Sequence, residues 1–378
     1  MECQEIVEGA TRLLVPAGSL QGEAPPRNPA FFNPRARITR DYSMLAYSAL
    51  LESIKGPGTL LDVMAGIGAR GLRAANEAGV DSVILNDING AAIEIAKESA
   101  ALNSLYNVEY SQDDACRFLA AHSGRGRQAA IVDLDPFGSP AAYIDCAIRS
   151  VMYGGMLAVA ATDLQVLNGL WNDTCRKKYG GVPIRVCYGN EVAIRLVLGC
   201  IWSVCARLGV GMSPLFVQSD MHYYRVYVRI EKKTGSGGLG HIIHCDGCGQ
   251  REAGIAESCR LCGSAVRVAG PLWIGELFDS EFVKKMISMV PSYMVESSCK
   301  KTLEKCLAEA QMPATYYTID ETASRAKTGP PKLVNAIQML RESGHAASVT
   351  SFESTGFRTD ADALQIAGAL YQMNPRQT

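Results

Sequence analysis

From about residue 60 the chain alternates short runs rich in Val, Ile and Leu with segments whose apolar positions recur every three to four residues. Runs of the first kind suit strands buried on both faces, and those of the second suit helices packed on one side, so the alternation predicts a parallel sheet with helical crossovers. Strands are predicted at Leu60–Ala65, Ser82–Asn86, Val108–Ser111, Ala129–Leu134 and Met156–Ala161. Helices are predicted at Arg70–Ala78, Asn89–Asn103, Asp114–His122, Pro140–Met152 and Asn190–Leu208. Met212–Gln218 and Tyr223–Glu231 are separated only by Ser219 to His222, too short a link for a crossover, so they are expected to pair as an antiparallel hairpin. The expected class is an α/β, doubly wound, Rossmann-like sheet with an antiparallel terminal hairpin.

The pattern then changes. Lys232–Gly240 is glycine-rich, with Leu239 its one sizeable apolar residue, and is predicted to be a flexible linker. Cysteines cluster at 245–262, and beyond Pro271 helical periodicity returns at Ser280–Val290, Cys299–Gln311 and Lys332–Ser343, with a short strand near Ala347–Phe352. The expected division is a sheet domain over 1–235 with an N-terminal extension, a small ribbon over 240–270 and an α-rich domain over 271–378. In the last of these, TASRAKTGPPKLVNAIQMLRESG followed by AASVTSFESTGFRTDA predicts helix, turn, helix and ribbon, a winged-helix-like order.

Composition narrows the function classes. The 378 residues are 48% apolar with a net charge of −1, which excludes disorder and a bulk polycation, so nucleic-acid contact has to come from local patches. Thirteen cysteines and a start, MECQEIVEGA, lacking a basic and then apolar leader point to a reducing, cytoplasmic compartment. The most apolar stretch, Val192 to Met212, is broken by Arg195 and Arg207, so no membrane span is expected.

LLDVMAGIGARG places Gly66, Gly68 and Gly71 between the first strand and the first helix, where glycines allow a tight turn and close approach of a ligand to the backbone. Asp87, at the end of the second strand, can accept both hydroxyls of a ribose. These two features suit a dinucleotide enzyme and a methyltransferase equally, and a glycine turn with a capping Asp would also produce them. Asp113 and Asp114 after the third strand add a station for an adenine amine, which favours S-adenosylmethionine. Five parallel strands ending in a hairpin is likewise the arrangement of the S-adenosylmethionine-dependent methyltransferase fold.

After the fourth strand stands Asp135-Pro136-Phe137-Gly138. An exocyclic amine of a nucleobase is a poor nucleophile because its lone pair is delocalised into the ring. The Asp135 carboxylate and the Pro136 carbonyl can each take one amine hydrogen, and Phe137 offers a face on which a base can stack. The alternative is a turn with Phe137 in the core. Upstream, Arg27, Arg35, Arg37 and Arg40 fall in a stretch without acids around Phe31 and Phe32, residues suited to an extruded guanine or the RNA backbone. Residues 171–233 hold ten Lys or Arg, Arg176 and Lys177 among them, against four acids, a local excess that fits phosphate binding.

DLDPFGSP, with FFNPRARITRD at 31–41, GIGARG at 66–71, LNDI at 85–88 and MHYYRVYV at 221–228, resembles the tRNA (guanine-26-N2)-dimethyltransferases over essentially the whole chain. The resemblance implies transfer of one or two methyl groups from S-adenosylmethionine to N2 of guanine-26, with tRNA as partner. It also implies cofactor contacts from Arg40, Arg70, Asp87, Asp114 and Ala115. One departure is TDLQVLNG after the fifth strand, where the family commonly has Cys-Gly. Methylation of another RNA amine, such as adenine N6, and a non-catalytic RNA-binding module remain the competing readings.

CDGC and CRLC set Cys245, Cys248, Cys259 and Cys262 in two CxxC knuckles, four thiolates suited to one tetrahedral Zn2+ with no open position, hence a structural metal. The other cysteines are expected to act as small apolar residues. The charge of residues 271–378 is nearly balanced and favours no partner there.

Overall fold

The computed structural model describes residues 2–21, 25–26, 28–233 and 238–373. Arg27 and residues 234–237 of the expected linker lie outside the described residues. An antiparallel hairpin, β1 (Cys3–Glu8) and β2 (Thr11–Pro16), opens the chain, and α1 (Arg37–Leu51) follows. Then β3 (Thr59–Asp62), α2 (Ala69–Glu77), β4 (Ser82–Asn86), α3 (Gly90–Leu102), β5 (Val108–Ser111), α4 (Ala115–Ala121), β6 (Ala129–Leu134), α5 (Ile144–Ser150) and β7 (Val151–Ala161) alternate strictly. Beyond them come α6 (Leu164–Leu167), α7 (Asn172–Tyr179), α8 (Gly189–Leu208), β8 (Gly211–Ser219) and β9 (Tyr224–Glu231). The seven strands form one sheet in the order β5-β4-β3-β6-β7-β9-β8, with β9 antiparallel to both its neighbours.

That order places the site. β3 and β6 lie side by side, yet their crossovers lead to opposite edges of the sheet, which opens a crevice at their carboxyl ends. All six residues of β6 are buried, as a central parallel strand requires. Gly68, at φ +75, turns the chain from β3 into α2, and Gly71 lets that helix approach the sheet so closely that a Cβ there would lie 2.3 Å from the Leu85 side chain.

Two sequence expectations shift. The helix expected over Pro140–Met152 is confined to α5, because β7 begins at Val151 and passes an irregularity in its pairing with β6 around Gly154 and Gly155. Leu239 and Gly240 belong to a strand, not to a linker: β10 (Leu239–Cys245) pairs with β11 (Arg251–Ala253) and β12 (Val266–Trp273) in a three-stranded ribbon.

The apolar interior divides later than residue 271. Phe282, Val283 and Met286 of α9 (Ser280–Met289), with Cys299, Leu303 and Cys306 of α10 (Ser298–Glu309), join the core of the seven-stranded sheet. A second core gathers Tyr317 of β13 (Tyr317–Thr318), Ile319 of α11 (Ile319–Arg325), Ile337 and Leu340 of α12 (Leu333–Glu342), Ala347 of β14 (Ala347–Val349), Phe357 of β15 (Gly356–Thr359) and Ile366 of α13 (Ala363–Met373). Arg358 bolts the two together. Its guanidinium is buried, lies 2.9 Å from Glu191 of α8, bonds Glu309 of α10, and donates to the carbonyls of Pro313 and Thr315 at 3.0 Å. Arg358→Met would leave Glu309 without its cation and Glu191 with Arg195 alone. We expect it to cost about 3–5 kcal/mol, read as a lower urea midpoint with S-adenosylmethionine affinity unchanged.

Candidate active site

The glycine loop and Asp87 form one unit. The Asp87 carboxylate accepts the Gly66 amide at 2.7 Å and the Asn89 amide at 2.9 Å, so the acid that could address a ribose also shapes the loop beside it. A carboxylate has lone pairs left for two hydroxyls after such bonds. Asn86, buried, ties this corner to the next by bonding the Val63 and Asp113 carbonyls and accepting the Asp113 amide. Asp114 caps α4, accepting from the amides of Cys116 and Arg117, and Ala115 opens that helix, where backbone N–H groups lack helical partners. Ile88, 74% exposed beside Asp87, adds an apolar surface that the motif reading overlooked.

Asp135 leaves β6 at the crevice with its side chain 35% exposed. Its Oδ2 accepts Nη2 of Arg70 at 2.6 Å, and Nη1 of Arg225 lies 3.6 Å away. Burial pushes the carboxyl up, but the charges of Arg70 and Arg225 and the Arg70 hydrogen bond outweigh it and hold the group below the ordinary carboxylate range. Asp135 is therefore ionised at neutral pH, an acceptor rather than a strong base. The turn that follows is stapled to the end of β7: the Gly138 amide donates to Thr162 Oγ1 at 2.7 Å, and the Thr162 amide to the Gly138 carbonyl at 2.9 Å. Ser139 donates to Tyr179 of α7, whose hydroxyl donates to Asp163 at 2.6 Å. Phe137 is 60% exposed, with Phe31 edge-on at 4.9 Å.

Several expected roles are corrected. Arg40 does not present an open fork, because Nε and Nη2 each bond a Glu8 oxygen at 2.6 Å, so any ligand carboxylate would share the guanidinium with Glu8. Arg70 likewise is engaged, by Asp135 and by Ser43 at 2.7 Å. Phe32 cannot reach RNA: it is buried beneath Arg40, whose guanidinium carbon lies 5.0 Å from its ring centre. In the basic segment, Arg195 and Arg225 are buried ion-pair members, which dissolves part of the expected patch. Arg176 and Lys177 are exposed on α7, Arg176 being 3.4 Å from Asp173, and Arg37 is half-exposed on α1.

Beneath Asp135 lies a buried group of charges that the motifs did not single out. Asp133 accepts from Tyr47 and Arg225, with Arg70 Nε 3.5 Å away. Asp62 accepts the Gly71 amide at 3.0 Å, and burial, then the charge of Asp133, push its carboxyl up to about 7. The signal was present in the sequence, since a charge inside an apolar strand run is tolerated only when paired. An ordinary aspartate titrates near 4, so between roughly pH 4 and 7 the folded chain holds a proton that the unfolded chain releases, and this group's contribution lowers stability as pH rises through that window. Asp62→Asn keeps an oxygen for the Gly71 amide and removes the titration. Its unfolding free energy should fall less between about pH 5 and 8 than that of the parent.

The four knuckle cysteines converge as expected from their spacing. Their sulfurs all lie within 4.8 Å of one another, close enough to hold one metal ion. Among the described residues, no helix is long and apolar enough to cross a membrane.

A family model described as N2,N2-dimethylguanosine tRNA methyltransferase matches residues 9–371. The chain belongs to this family. Other members of the dimethylguanosine methyltransferase family are similar over nearly their whole length. The tRNA (guanine(26)-N(2))-dimethyltransferase of Methanosphaera stadtmanae is 32% identical over 374 residues, 95% of this chain and 94% of that protein. The protein of the same name from Thermococcus kodakarensis is 33% identical over 382 residues, 96% of this chain and 97% of its own. The solved complex of Trm1 from Pyrococcus horikoshii with S-adenosyl-L-methionine superposes with a TM-score of 0.85 at 28% identity, covering 97% of this chain and 99% of that one.

Proposed function

We propose that this dimethylguanosine methyltransferase transfers one or two methyl groups from S-adenosylmethionine to the exocyclic N2 of guanine-26 in tRNA, in the cytoplasm. The observation that supports it best is the half-open Asp135 carboxylate, held at the sheet's crevice beside Pro136 and Phe137 and bonded to Arg70 of the glycine loop. S-adenosylmethionine supplies an electrophilic methyl on a sulfonium. Asp87 would hold its ribose, Asp114 and the Ala115 amide its adenine, the Gly66–Gly68 turn would let it approach the backbone closely, and Arg40, whose guanidinium Glu8 already shares, would hold its carboxylate. Arg70 would act from beneath, through Asp135.

On the substrate side, Asp135 and the Pro136 carbonyl each take one hydrogen of the guanine amine. This draws the nitrogen toward tetrahedral geometry and frees its lone pair. Phe137 stacks on the base with Phe31 behind it. Once the methyl has moved, the nitrogen is acidic, and even a weak base such as Asp135 can take its proton. Arg37, Arg176 and Lys177 would contact phosphates, so binding should weaken steeply with salt. Cys245, Cys248, Cys259 and Cys262 would hold one structural Zn2+.

The test is nucleoside mass spectrometry of a treated tRNA transcript. We expect N2-methyl- and N2,N2-dimethylguanosine at position 26, and no methylation when guanine-26 is replaced by adenine. Methyl-adenosine as the product would overturn the assignment in favour of N6 chemistry.

A further inference from the structure

Arg225 lies in the MHYYRVYV run, a motif to which the reaction as described gives no task. It is wholly buried on β9 and anchored on two sides: Nη2 bonds Asp133, and Nε donates to the Tyr227 hydroxyl at 2.9 Å. The third nitrogen, Nη1, is buried and has no hydrogen-bond partner among the described residues, yet it lies 3.6 Å from Oδ2 of Asp135. A buried unpaired donor is costly enough that its direction is informative. Arg70 converges on the same oxygen from α2, its guanidinium held by Ser43 at 2.7 Å and lying 3.5 Å from Asp133.

Two guanidiniums thus face one oxygen of a carboxylate whose other oxygen they leave alone. We propose that Arg225 is a positioning residue for methyl transfer: with Arg70 it holds Oδ2 of Asp135, so that Oδ1 is the atom presented to the guanine amine. Docking of the amine on Oδ1 would bring Oδ2 the last few tenths of an ångström onto Nη1 and complete the bond that is now open. The inference rests on Asp135 being the amine acceptor, and it adds which oxygen acts and what aims it.

Arg225 also sets the charge balance at that carboxylate. Facing Asp135 are Arg70 of α2, Arg225 of β9 and, farther off, Arg40 of α1; on the acidic side stand Asp133 of its own strand and Asp62 of β3. Tyr47 and Tyr227 complete the surroundings of Arg225 and Asp133. Asp135 works as a carboxylate, and loss of a neighbouring cation makes it easier to protonate, so activity on the acid side would be lost at a higher pH.

The test compares Arg225→Met, Arg225→Lys and the paired change Asp133→Asn with Arg225→Met, which leaves no unpaired buried carboxylate if the single change fails to fold. Rates are measured on a tRNA transcript from about pH 5 to 9, with KM for S-adenosylmethionine determined separately. We expect kcat to fall by about 10²-fold in Arg225→Met and in the paired variant, with KM for the cofactor within about twofold; the acid limb should move upward in Arg225→Met, and less in the paired variant, which removes one anion along with the cation. Arg225→Lys should return the limb toward its original position without restoring kcat, because a point charge cannot reproduce the fork. A folded Arg225→Met or paired variant with parental kcat would overturn the inference. Undiminished turnover in Asp135→Ala would instead remove the acceptor assignment itself, whatever the Arg225 variants do.

Discussion

Asp135→Ala should bind S-adenosylmethionine as the parent does and lose methylation of tRNA by about 10²–10³-fold or more. The separation follows from where the carboxylate stands. The groups assigned to the cofactor, Asp87, Asp114, the Ala115 amide and the glycine turn, are held by bonds among themselves and with Asn86, none of which passes through Asp135. Arg70, the nearest cation, would lose one partner but keep Ser43 and Asp133, so the substitution does not strand a buried charge. What disappears is an acceptor aligned on a hydrogen whose acidity grows as the methyl moves. Removal of one such preorganised group in other enzymes costs about 10²–10³ in kcat. Asp135→Asn should fall between the two: the amide oxygen can still accept, but the charge that balances Arg70 and Arg225 is gone, and the amide NH2 would face the amine. Calorimetric titration with the cofactor and a labelled-methyl assay separate binding from chemistry. Parental turnover in Asp135→Ala would dismiss this residue from the reaction.

The succession of the parallel strands was legible because β3, β4, β6 and β7 each carry an apolar run bounded by polar turns, as parallel strands covered on both faces do, whereas β5, Val-Glu-Tyr-Ser at the sheet's edge, is written mainly by its place in the alternation. The candidate site was read at the carboxyl ends of those strands for the same reason. What stayed hidden depends on partners distant in sequence. The β1–β2 hairpin is a short edge piece, yet it delivers Glu8 to Arg40 and Arg73, and nothing near Arg40 in the sequence announces that its fork is taken from 32 residues away. Phe32 and Phe31 are neighbours in a single motif, but Phe32 is buried and only Phe31 meets Phe137; composition cannot distinguish adjacent aromatics that the backbone turns to opposite sides. Counting charges over 171–233 included side chains that cannot face a phosphate, for a related reason. A sum has no knowledge that Arg195 and Arg225 point inward, where each answers a specific buried acid.

Stripping the metal from the cysteine ribbon should unfold that ribbon and loosen the C-terminal core while leaving cofactor binding intact. The ribbon spans only β10 to β12; its buried Ile242, Ala269 and Leu272 belong to the core of the seven-stranded sheet, whereas in the knuckle end, residues 246–265, Cys259 is the only buried apolar side chain, so the knuckles have no core of their own to stand on without a staple. Four thiolates closing on one Zn2+ supply apparent binding energies of about 10–16 kcal/mol in comparable small folds, a free energy of folding that the apo chain lacks. The loss would spread along identifiable contacts. Arg325 of α11 donates to the carbonyls of Asp246 and Gly247, inside the first knuckle, at 3.0 and 3.3 Å, and Arg251 of β11 pairs with Glu321 at 2.6 Å. The proposed cofactor station is at β3, β4 and β5, which belong to a different sheet from the ribbon's three strands. Elemental analysis of freshly purified protein should therefore find one zinc per chain. Cys259→Ser should bind less metal, lower the unfolding midpoint and open residues 245–265 to proteases, with S-adenosylmethionine affinity kept. Protein found free of zinc, with an undiminished unfolding midpoint and a protease-resistant ribbon, would mean that the four sulfurs converge for some reason other than a metal.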